Sequence, residues 1–289
     1  MNPSIVVLAN LSATAEKTAR YAAVLGAPLH THVVLLHCYQ DAAVLFAPEL
    51  AVVAAAQTDR SYAETAADMQ ALAQQLPAPS EVMVSTMPLT EAVTKAVRQH
   101  QPLLVAMGLS PERDFLDELL RNQLLPVLRA THQPLLLVPA AAPAPALPRR
   151  VLLALDAEPF SLGAAGRSLA PLLAAWPAAY TVAHMATGHG PEAQPGRLAL
   201  ADVRASGLLP PAAPLWLYQE PQQDPAAGIL QAVADTQADL VVLIARPRSF
   251  WARRFHRSVT AEVLRRSPVP VLLVPAQPSD TPGWLAAMS

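Results

Sequence analysis

The sequence contains a single cysteine, Cys38, and few charged or aromatic residues, which make up 15% and 5% of its 289 positions. One cysteine excludes an intrachain disulfide and suits a reducing compartment. No apolar run approaches the roughly 18 residues that would suggest a membrane span. The opening residues Met1-Asn2-Pro3-Ser4 lack the basic and apolar segments of a secretory signal. We therefore expect a cytoplasmic protein without a membrane segment.

An excess of either charge is also missing. The chain has 20 Lys and Arg residues against 22 Asp and Glu residues, a formal net charge of −2. This balance gives no overall field that would attract nucleic acid or an anionic membrane, and we expect neither as a partner. Apolar residues make up 53% of the chain, which is enough for two buried cores.

The end of the chain repeats its middle. Residues 102–140 read PLLVAMGLSPERDFLDELLRNQLLPVLRATHQPLLLVPA, and residues 238–276 read ADLVVLIARPRSFWARRFHRSVTAEVLRRSPVPVLLVPA. Counted back from the shared LLVPA, the match has no gap, and Pro134 lies over Pro270. Halves of roughly 140 residues each have the length of one ordinary domain. The repeat therefore indicates a tandem duplication.

Strand and helix patterns alternate in both halves. Short apolar runs that end in a small polar residue, as buried parallel strands do, open the two halves at Ile5–Asn10 and Val151–Asp156. Helical patterns follow over Ala13–Leu25 and Pro159–Ala175. Further strands are predicted at Val33–His37 and Tyr180–His184, and further helices after Pro88 and after Asp224-Pro225. This alternation predicts an α/β fold with a parallel sheet and helices on both faces.

A proline- and alanine-rich spacer separates the halves. Alternating Pro and Ala residues between Ala140 and Pro148 disfavour helix and strand and favour an extended linker. We expect domain 1 at residues 1–140, the linker at 141–149, domain 2 at 150–277 and a C-terminal tail at 278–289.

With these features the chain resembles the universal stress protein family in its tandem two-domain form. The resemblance covers nearly the whole chain and rests on the opening strands, the late strand–loop–helix segments and the closing strands after Pro134 and Pro270. It implies two doubly wound domains, each with a five-stranded parallel sheet. In this family the last strand pairs with its counterpart across a dimer axis, so the resemblance implies an intrachain pseudo-dimer whose linker arches over the junction. The apolar runs Leu135–Val138 and Val271–Val274 would pair there.

The family's nucleotide motif is poorly matched in the first half. The motif is Gly, two residues, Gly, nine residues, then Gly followed by Ser or Thr, and glycines let the backbone approach phosphates. Gly108 matches the first glycine, but Pro111 stands at the second and Arg121-Asn122 at the last pair. The family's adenine-side aspartate is Asn10 here, and the intervening loop is acidic. We expect no ATP in this half.

The second half keeps part of the pattern. Asp156 and Ser258 match the family, whereas Arg257 replaces a glycine and the first glycine position falls on Ile244 or Ala245. Arginines in this loop can bind phosphate bidentately, but they can also fill the space that phosphates need. ATP or another adenine nucleotide is therefore expected in this half only, if in either. The candidate ligand residues are Asp156, Arg246, Arg248, Arg257 and Ser258.

Three functions follow from this pattern. The first is a non-catalytic stress-response binding or scaffold module, with a protein partner or a second copy of the chain at the Arg253/Arg254 face. The second is a sensor of a nucleotide or another phosphate-bearing ligand, and the third is a slow ATPase. No acidic residue placed to hold a metal and a water is visible near the basic loop, so we expect no enzyme.

Other chemistry is not indicated by the sequence. No Walker P-loop, His-Glu-x-x-His or Cys-x-x-Cys motif occurs, so no catalytic residue, metal site or required cofactor is predicted. His37-Cys38 ends the second strand, and His184-Met185 occupies the matching place in the second half. These positions face the edge where α/β sheets bind ligands, although a repeated position is also typical of core packing. The role of His37, Cys38 and His184 stays open.

Overall fold

The structure is a computed structural model that describes residues 2–9, 13–39, 62–109, 125–155, 159–186, 193–221, 224–245 and 259–277. Within these ranges the strands form one eleven-stranded sheet. The strands are β1 Ser4–Leu8, β2 His32–Cys38, β3 Ser80–Ser85, β4 Leu104–Leu109, β5 Leu135–Pro139, β6 Arg150–Leu155, β7 Ser161–Leu162, β8 Ala179–Ala186, β9 Leu215–Pro221, β10 Leu240–Ala245 and β11 Val271–Gln277.

Helices connect the strands in both halves, as the sequence predicts. In the first half they are α1 Ala13–Gly26, α2 Tyr62–Gln74, α3 Leu89–His100 and α4 Leu125–Thr131, with a short 3-10 turn at Ala27–Leu29. In the second half they are α5 Ala164–Arg167, α6 Ala170–Ala175, α7 Ala193–Ser206, α8 Pro225–Thr236 and α9 Val259–Arg266. The predicted start of α8 is confirmed, since the Asp224 side chain accepts a hydrogen bond from the Ala226 N–H at 3.0 Å.

The strand order is the same in both halves. It runs β3-β2-β1-β4-β5-β11-β10-β6-β8-β9, and β7 pairs with β11 outside this path. All pairs within the main path are parallel except one, β5 with β11. The two-domain parallel α/β fold predicted from the sequence is therefore confirmed.

The antiparallel junction between β5 and β11 joins the halves. Leu135, Leu136 and Leu137 pair with Leu273, Leu272 and Val271. All six side chains are buried. The pairing covers two apolar edges that would otherwise be free to aggregate. This is the intrachain pseudo-dimer that the family resemblance implies.

Two apolar layers cover the sheet, one on each face. Alternate residues of each strand point to opposite faces, so Val6 belongs to one layer and Val7 to the other. One layer includes buried residues of α3, α4, α8 and α9, and the other includes those of α1, α2, α6 and α7. Both layers run across the junction through β5 and β11. Each apolar layer is therefore continuous from the first half to the second.

One prediction about the second half is wrong. The pattern over Pro159–Ala175 predicts a single helix, but the structure has the short strand β7 followed by α5 and α6. Pro171 lies at the first turn of α6, where its missing N–H is tolerated and a longer helix from upstream would be broken. β7 pairs with Ala276 and Gln277, because β5 begins only after Pro134 and leaves this end of β11 uncovered.

The linker lies against α1. The Lys17 ammonium donates to the Ala140 carbonyl at 2.8 Å and also to the carbonyl of Ala142. The Tyr21 hydroxyl donates to the Pro143 carbonyl at 2.8 Å. Burial, with a contribution from the charge of Asp239, raises the pKa of Tyr21 to about 12. Because β5 and β6 are antiparallel in the sheet, the linker connects them at one edge and passes the starts of β11 and β10.

The domain limits expected from the sequence, residues 1–140 and 150–277 with a linker between them, remain a prediction. In the described part of the chain, no helix is both long enough and apolar enough to span a membrane.

Candidate ligand-binding edge of the second half

The predicted ligand residues lie outside the described part of the chain. This holds for Asp156, Arg246, Arg248, Arg257 and Ser258. The predicted partner face at Arg253 and Arg254 also lies outside it. The structure does describe the elements that flank them. β6 ends at Leu155, β10 ends at Ala245 and α9 begins at Val259. β6 and β10 are neighbouring parallel strands, so Asp156 and Arg246 follow in sequence from adjacent strand ends.

Strand register shows which residues are equivalent in the two halves. Ser4 pairs with His32 in the first half as Arg150 pairs with Ala179 in the second. Counting from these pairs, Asn10 corresponds to Asp156 and His37 to His184, as the sequence alignment predicts. The same count places Ile244, not Ala245, over Gly108.

His184 lies beside the end of β6. It pairs in register with Leu155, the residue before Asp156, and is only 6% exposed. Its Nδ1 is buried and has no hydrogen-bond partner within the described residues. Buried polar atoms are nearly always hydrogen-bonded, and leaving one unpaired costs about 1–3 kcal/mol. Within the described residues, the His184 Nδ1 is therefore a candidate hydrogen-bonding group at this edge.

The equivalent histidine in the first half is satisfied within the protein. His37 Nδ1 lies 2.7 Å from the carbonyl oxygen of Ala9. The neighbouring Cys38 is half-buried, and burial raises the pKa of its thiol to about 11. Thiolate is therefore scarce at neutral pH, and Cys38 is a poor candidate for a nucleophile.

Gly108 has a packing role in the first half. A Cβ at this position would lie 2.5 Å from Thr14 Cγ2 and 2.9 Å from Thr18 Oγ1. Glycine is thus needed because α1 packs closely on β4. In the second half the corresponding helix is broken, and Ile244 stands where Gly108 would be. The structure therefore explains Gly108 without a phosphate.

Sequence reasoning missed one cluster altogether. His32, Glu81 and His100 bring their ligand atoms within 4.8 Å of one another. No spacing rule could have found it, since the three residues come from β2, β3 and α3 and meet only through strand pairing. The cluster lies at the opposite edge of the first half from Cys38.

The sequence profile of the universal stress protein family matches residues 1–139 and 220–275. The chain belongs to the universal stress protein family. The family profile does not match residues 140–219, the region that contains the broken helix of the second half.

Solved structures of this family share the fold along nearly the whole chain. A universal stress protein from Archaeoglobus fulgidus DSM 4304 is 17% identical, with a TM-score of 0.65 over 96% of this chain and 98% of that chain. A Pseudomonas aeruginosa UCBPP-PA14 protein described as a universal stress protein is 16% identical, with a TM-score of 0.58 over 94% of this chain and 93% of that chain. No curated protein matches the sequence. At these identities the likeness concerns the fold, and function has to be argued from the site.

Proposed function

We propose that this chain is a non-catalytic, cytoplasmic stress-response protein that binds an adenine nucleotide or a related phosphate-bearing ligand in its second half only. The observation that carries the proposal is the difference between two equivalent histidines. At the first-half edge the His37 Nδ1 is hydrogen-bonded to the Ala9 carbonyl oxygen, whereas at the second-half edge the buried Nδ1 of His184 has no hydrogen-bond partner among the described residues. Ligands of open α/β sheets bind at this carboxyl edge.

Each predicted ligand residue has a chemical role in this proposal. Asp156 accepts a hydrogen bond from the adenine or the ribose. Ser258 directly precedes the described start of α9, where backbone N–H groups and the helix dipole favour a phosphate. Guanidinium groups at Arg246, Arg248 and Arg257 neutralise the phosphates and replace contacts that glycine N–H groups make in the family motif.

The test compares ligand binding by the wild type, by two second-half variants and by a control variant in the first half. Mass spectrometry identifies small molecules released from the natively purified chain, and thermal-shift titrations with ATP, ADP and AMP measure stabilisation. We expect Asp156→Ala and Arg257→Ala to abolish the shift. The first-half counterpart Asn10→Ala is the control and should leave it unchanged. No released ligand and no shift with any nucleotide would refute the proposal.

Catalysis is tested separately. A slow ATPase requires a metal and a positioned water near the transferred phosphate. We expect the chain to release no phosphate from ATP in the presence of Mg²⁺ beyond the rate without protein. Release that disappears in Asp156→Ala would make the second half a hydrolytic site and overturn the non-catalytic assignment.

A scaffold role at the Arg253/Arg254 face is the second candidate. β4, which precedes the acidic segment of the first half, and β10, which precedes the basic segment of the second, point in opposite directions in the sheet. The two segments therefore follow strand ends at opposite edges of the sheet. For this reason, attraction between the acidic and the basic segment favours contact between two copies over contact within one chain. We expect salt to weaken self-association, and the double variant Arg253→Glu/Arg254→Glu to lose it. Self-association indifferent to both would remove this role.

A further inference from the structure

Three potential metal ligands meet at the amino edge of the first half. His32 is the first residue of β2, Glu81 is near the start of β3, and His100 is the last residue of α3. Val34 pairs with Glu81, and Val34 lies in the apolar layer that also contains buried residues of α3. His32 is two residues from Val34 on the same strand, so it shares this face. The fold thus brings all three side chains under the end of one helix.

The distances suit ligands around a single ion. His100 Nε2 lies 3.2 Å from Glu81 Oε1, and the nearest ligand atoms of all three residues lie within 4.8 Å of one another. Two ligands bound at 2.0–2.1 Å in a tetrahedron lie about 3.3 Å apart, so modest side-chain rotation closes the site around a zinc-sized ion. The His32 and His100 rings meet edge to face, with centroids 6.1 Å apart.

A simple ion pair does not account for the geometry. The His100 side chain is 9% exposed, and its Nε2 is buried. Although this atom is close to Glu81, the contact is not aligned as a hydrogen bond, and the atom has no hydrogen-bond partner among the residues that the structure describes. Among the described residues, this buried ring nitrogen has no hydrogen-bond partner although a carboxylate and a second imidazole lie close by, and a metal ion between the three groups would satisfy it.

The surroundings hold the site in place and favour positive charge. The Ser4 hydroxyl donates to the His100 carbonyl at 3.0 Å and fixes the end of α3. Gln101 follows in the left-handed conformation with φ 44°, and its N–H bonds the Val97 carbonyl. The carboxyl end of a helix carries partial negative charge, which stabilises a cation there. Glu81 is 50% exposed, so an ion and a water can reach the site from solvent.

The second half provides an internal comparison. The register places Ala179 over His32 and Trp216 over Glu81, and Thr236 ends α8 as His100 ends α3. None of these three side chains is a metal ligand of the usual kind. The strands pair in the same way in both halves, yet of these equivalent positions only those of the first half carry potential metal ligands. The fold alone therefore does not require this cluster.

We propose that His32, Glu81 and His100 bind one Zn²⁺-type divalent cation, with two imidazole nitrogens, one carboxylate oxygen and a water in the fourth position. The ion would link β2, β3 and α3 at the amino edge of the first half. This site is independent of the ligand proposed for the second half.

The test is Zn²⁺ binding by the full-length chain, measured by isothermal titration calorimetry after chelator treatment. We expect one Zn²⁺ per chain, and roughly tenfold or greater weakening in each of His32→Ala, Glu81→Gln and His100→Ala. His30→Asn and His132→Asn are matched controls, since both histidines are exposed and both have positive φ values that Asn tolerates. Neither control should change the affinity.

A second readout separates ligand loss from misfolding. Glu81→Gln keeps the size of a half-exposed side chain, and far-UV circular dichroism checks that each variant is folded. Co²⁺ in place of Zn²⁺ should give the visible absorption of a four-coordinate site without a sulfur charge-transfer band. Three outcomes would overturn the proposal: no Zn²⁺ binding by the wild type, binding unchanged in Glu81→Gln and His32→Ala, or equal loss in the His132→Asn control.

Discussion

The two halves of the sheet share strand order, register and core, but they differ at both edges. At the amino edge the first half has His32, Glu81 and His100 where the second has Ala179, Trp216 and Thr236. At the carboxyl edge the His37 Nδ1 of the first half is hydrogen-bonded to a backbone carbonyl, while the equivalent His184 Nδ1 of the second half has no such partner in the described part of the chain. The duplicated frame thus supports different chemistry in each copy.

The comparison separates what holds the fold from what distinguishes the sites. Residues of the junction are buried in both halves and join them into one sheet. The differences described above lie at strand ends, at helix ends and in the segment after β6, where β7, α5 and α6 replace a single helix. Substitutions at the junction should therefore affect both halves together, and substitutions at an edge should affect one half.

The largest effect is expected at the junction. Leu272 is 0% exposed and pairs with Leu136 across the antiparallel contact. Leu272→Ala should lower the free energy of unfolding by about 2–5 kcal/mol, because it removes buried methyl groups and leaves a cavity. The control Leu198→Ala, at a side chain that is 58% exposed, should change it by less than about 0.5 kcal/mol. Urea unfolding followed by circular dichroism measures both. Similar stability for the two variants would contradict the burial of Leu272 at the junction.

A smaller effect is expected where α6 meets the first half. The Trp176 indole Nε1–H donates to the Leu25 carbonyl at 2.9 Å in a buried contact between the halves. Trp176→Phe removes the donor and should cost about 1–3 kcal/mol, because the buried carbonyl is left unpaired. Trp216→Phe is the matched control, since Trp216 is 53% exposed. Equal thermal stability of both variants would contradict a role for this hydrogen bond.

The linker contact should contribute less again. Tyr21→Phe removes the hydrogen bond to Pro143 and should cost about 1 kcal/mol at pH 7. Because burial raises the pKa of Tyr21 to about 12, its hydroxyl stabilises the fold fully below pH 10 and loses this contribution between pH 10 and 12. The stability difference between wild type and Tyr21→Phe should therefore shrink over this range. A difference that is constant from pH 9 to 12 would contradict the assignment.

The last prediction concerns the chemical reactivity of Cys38, whose second-half counterpart is Met185. A thiol pKa raised from 9.0 to about 11 means about a hundredfold less thiolate at neutral pH. Alkylation of the native chain by iodoacetamide should be correspondingly slow at pH 7.5 and should accelerate up to pH 11, whereas the urea-unfolded chain should react at the ordinary rate. Equal rates for native and unfolded chain at pH 7.5 would show that the thiol is not shielded.

Much of the fold could be predicted from the sequence. The repeat, the apolar strand runs and the Asp224-Pro225 helix start depend on local chemistry, and each is present in the structure. The β5–β11 pairing was available from the family resemblance and from the two apolar edges that needed cover.

The departures arise from contacts between residues far apart in the chain. Pro159–Ala175 has a helical pattern, but Pro171 and the uncovered end of β11 favour a short strand and two short helices. The cluster of His32, Glu81 and His100 depends on strand register and on where α3 ends, which no local pattern contains. The unpaired nitrogen of His184 likewise appears only when burial and partners are known.

The most direct test of the difference between the halves is the stoichiometry of nucleotide binding. Isothermal titration of the full-length chain with ATP and ADP should reveal one site, lost in Asp156→Ala and unchanged in Asn10→Ala. Two equivalent sites, or one site that is lost in Asn10→Ala and retained in Asp156→Ala, would contradict a ligand site confined to the second half.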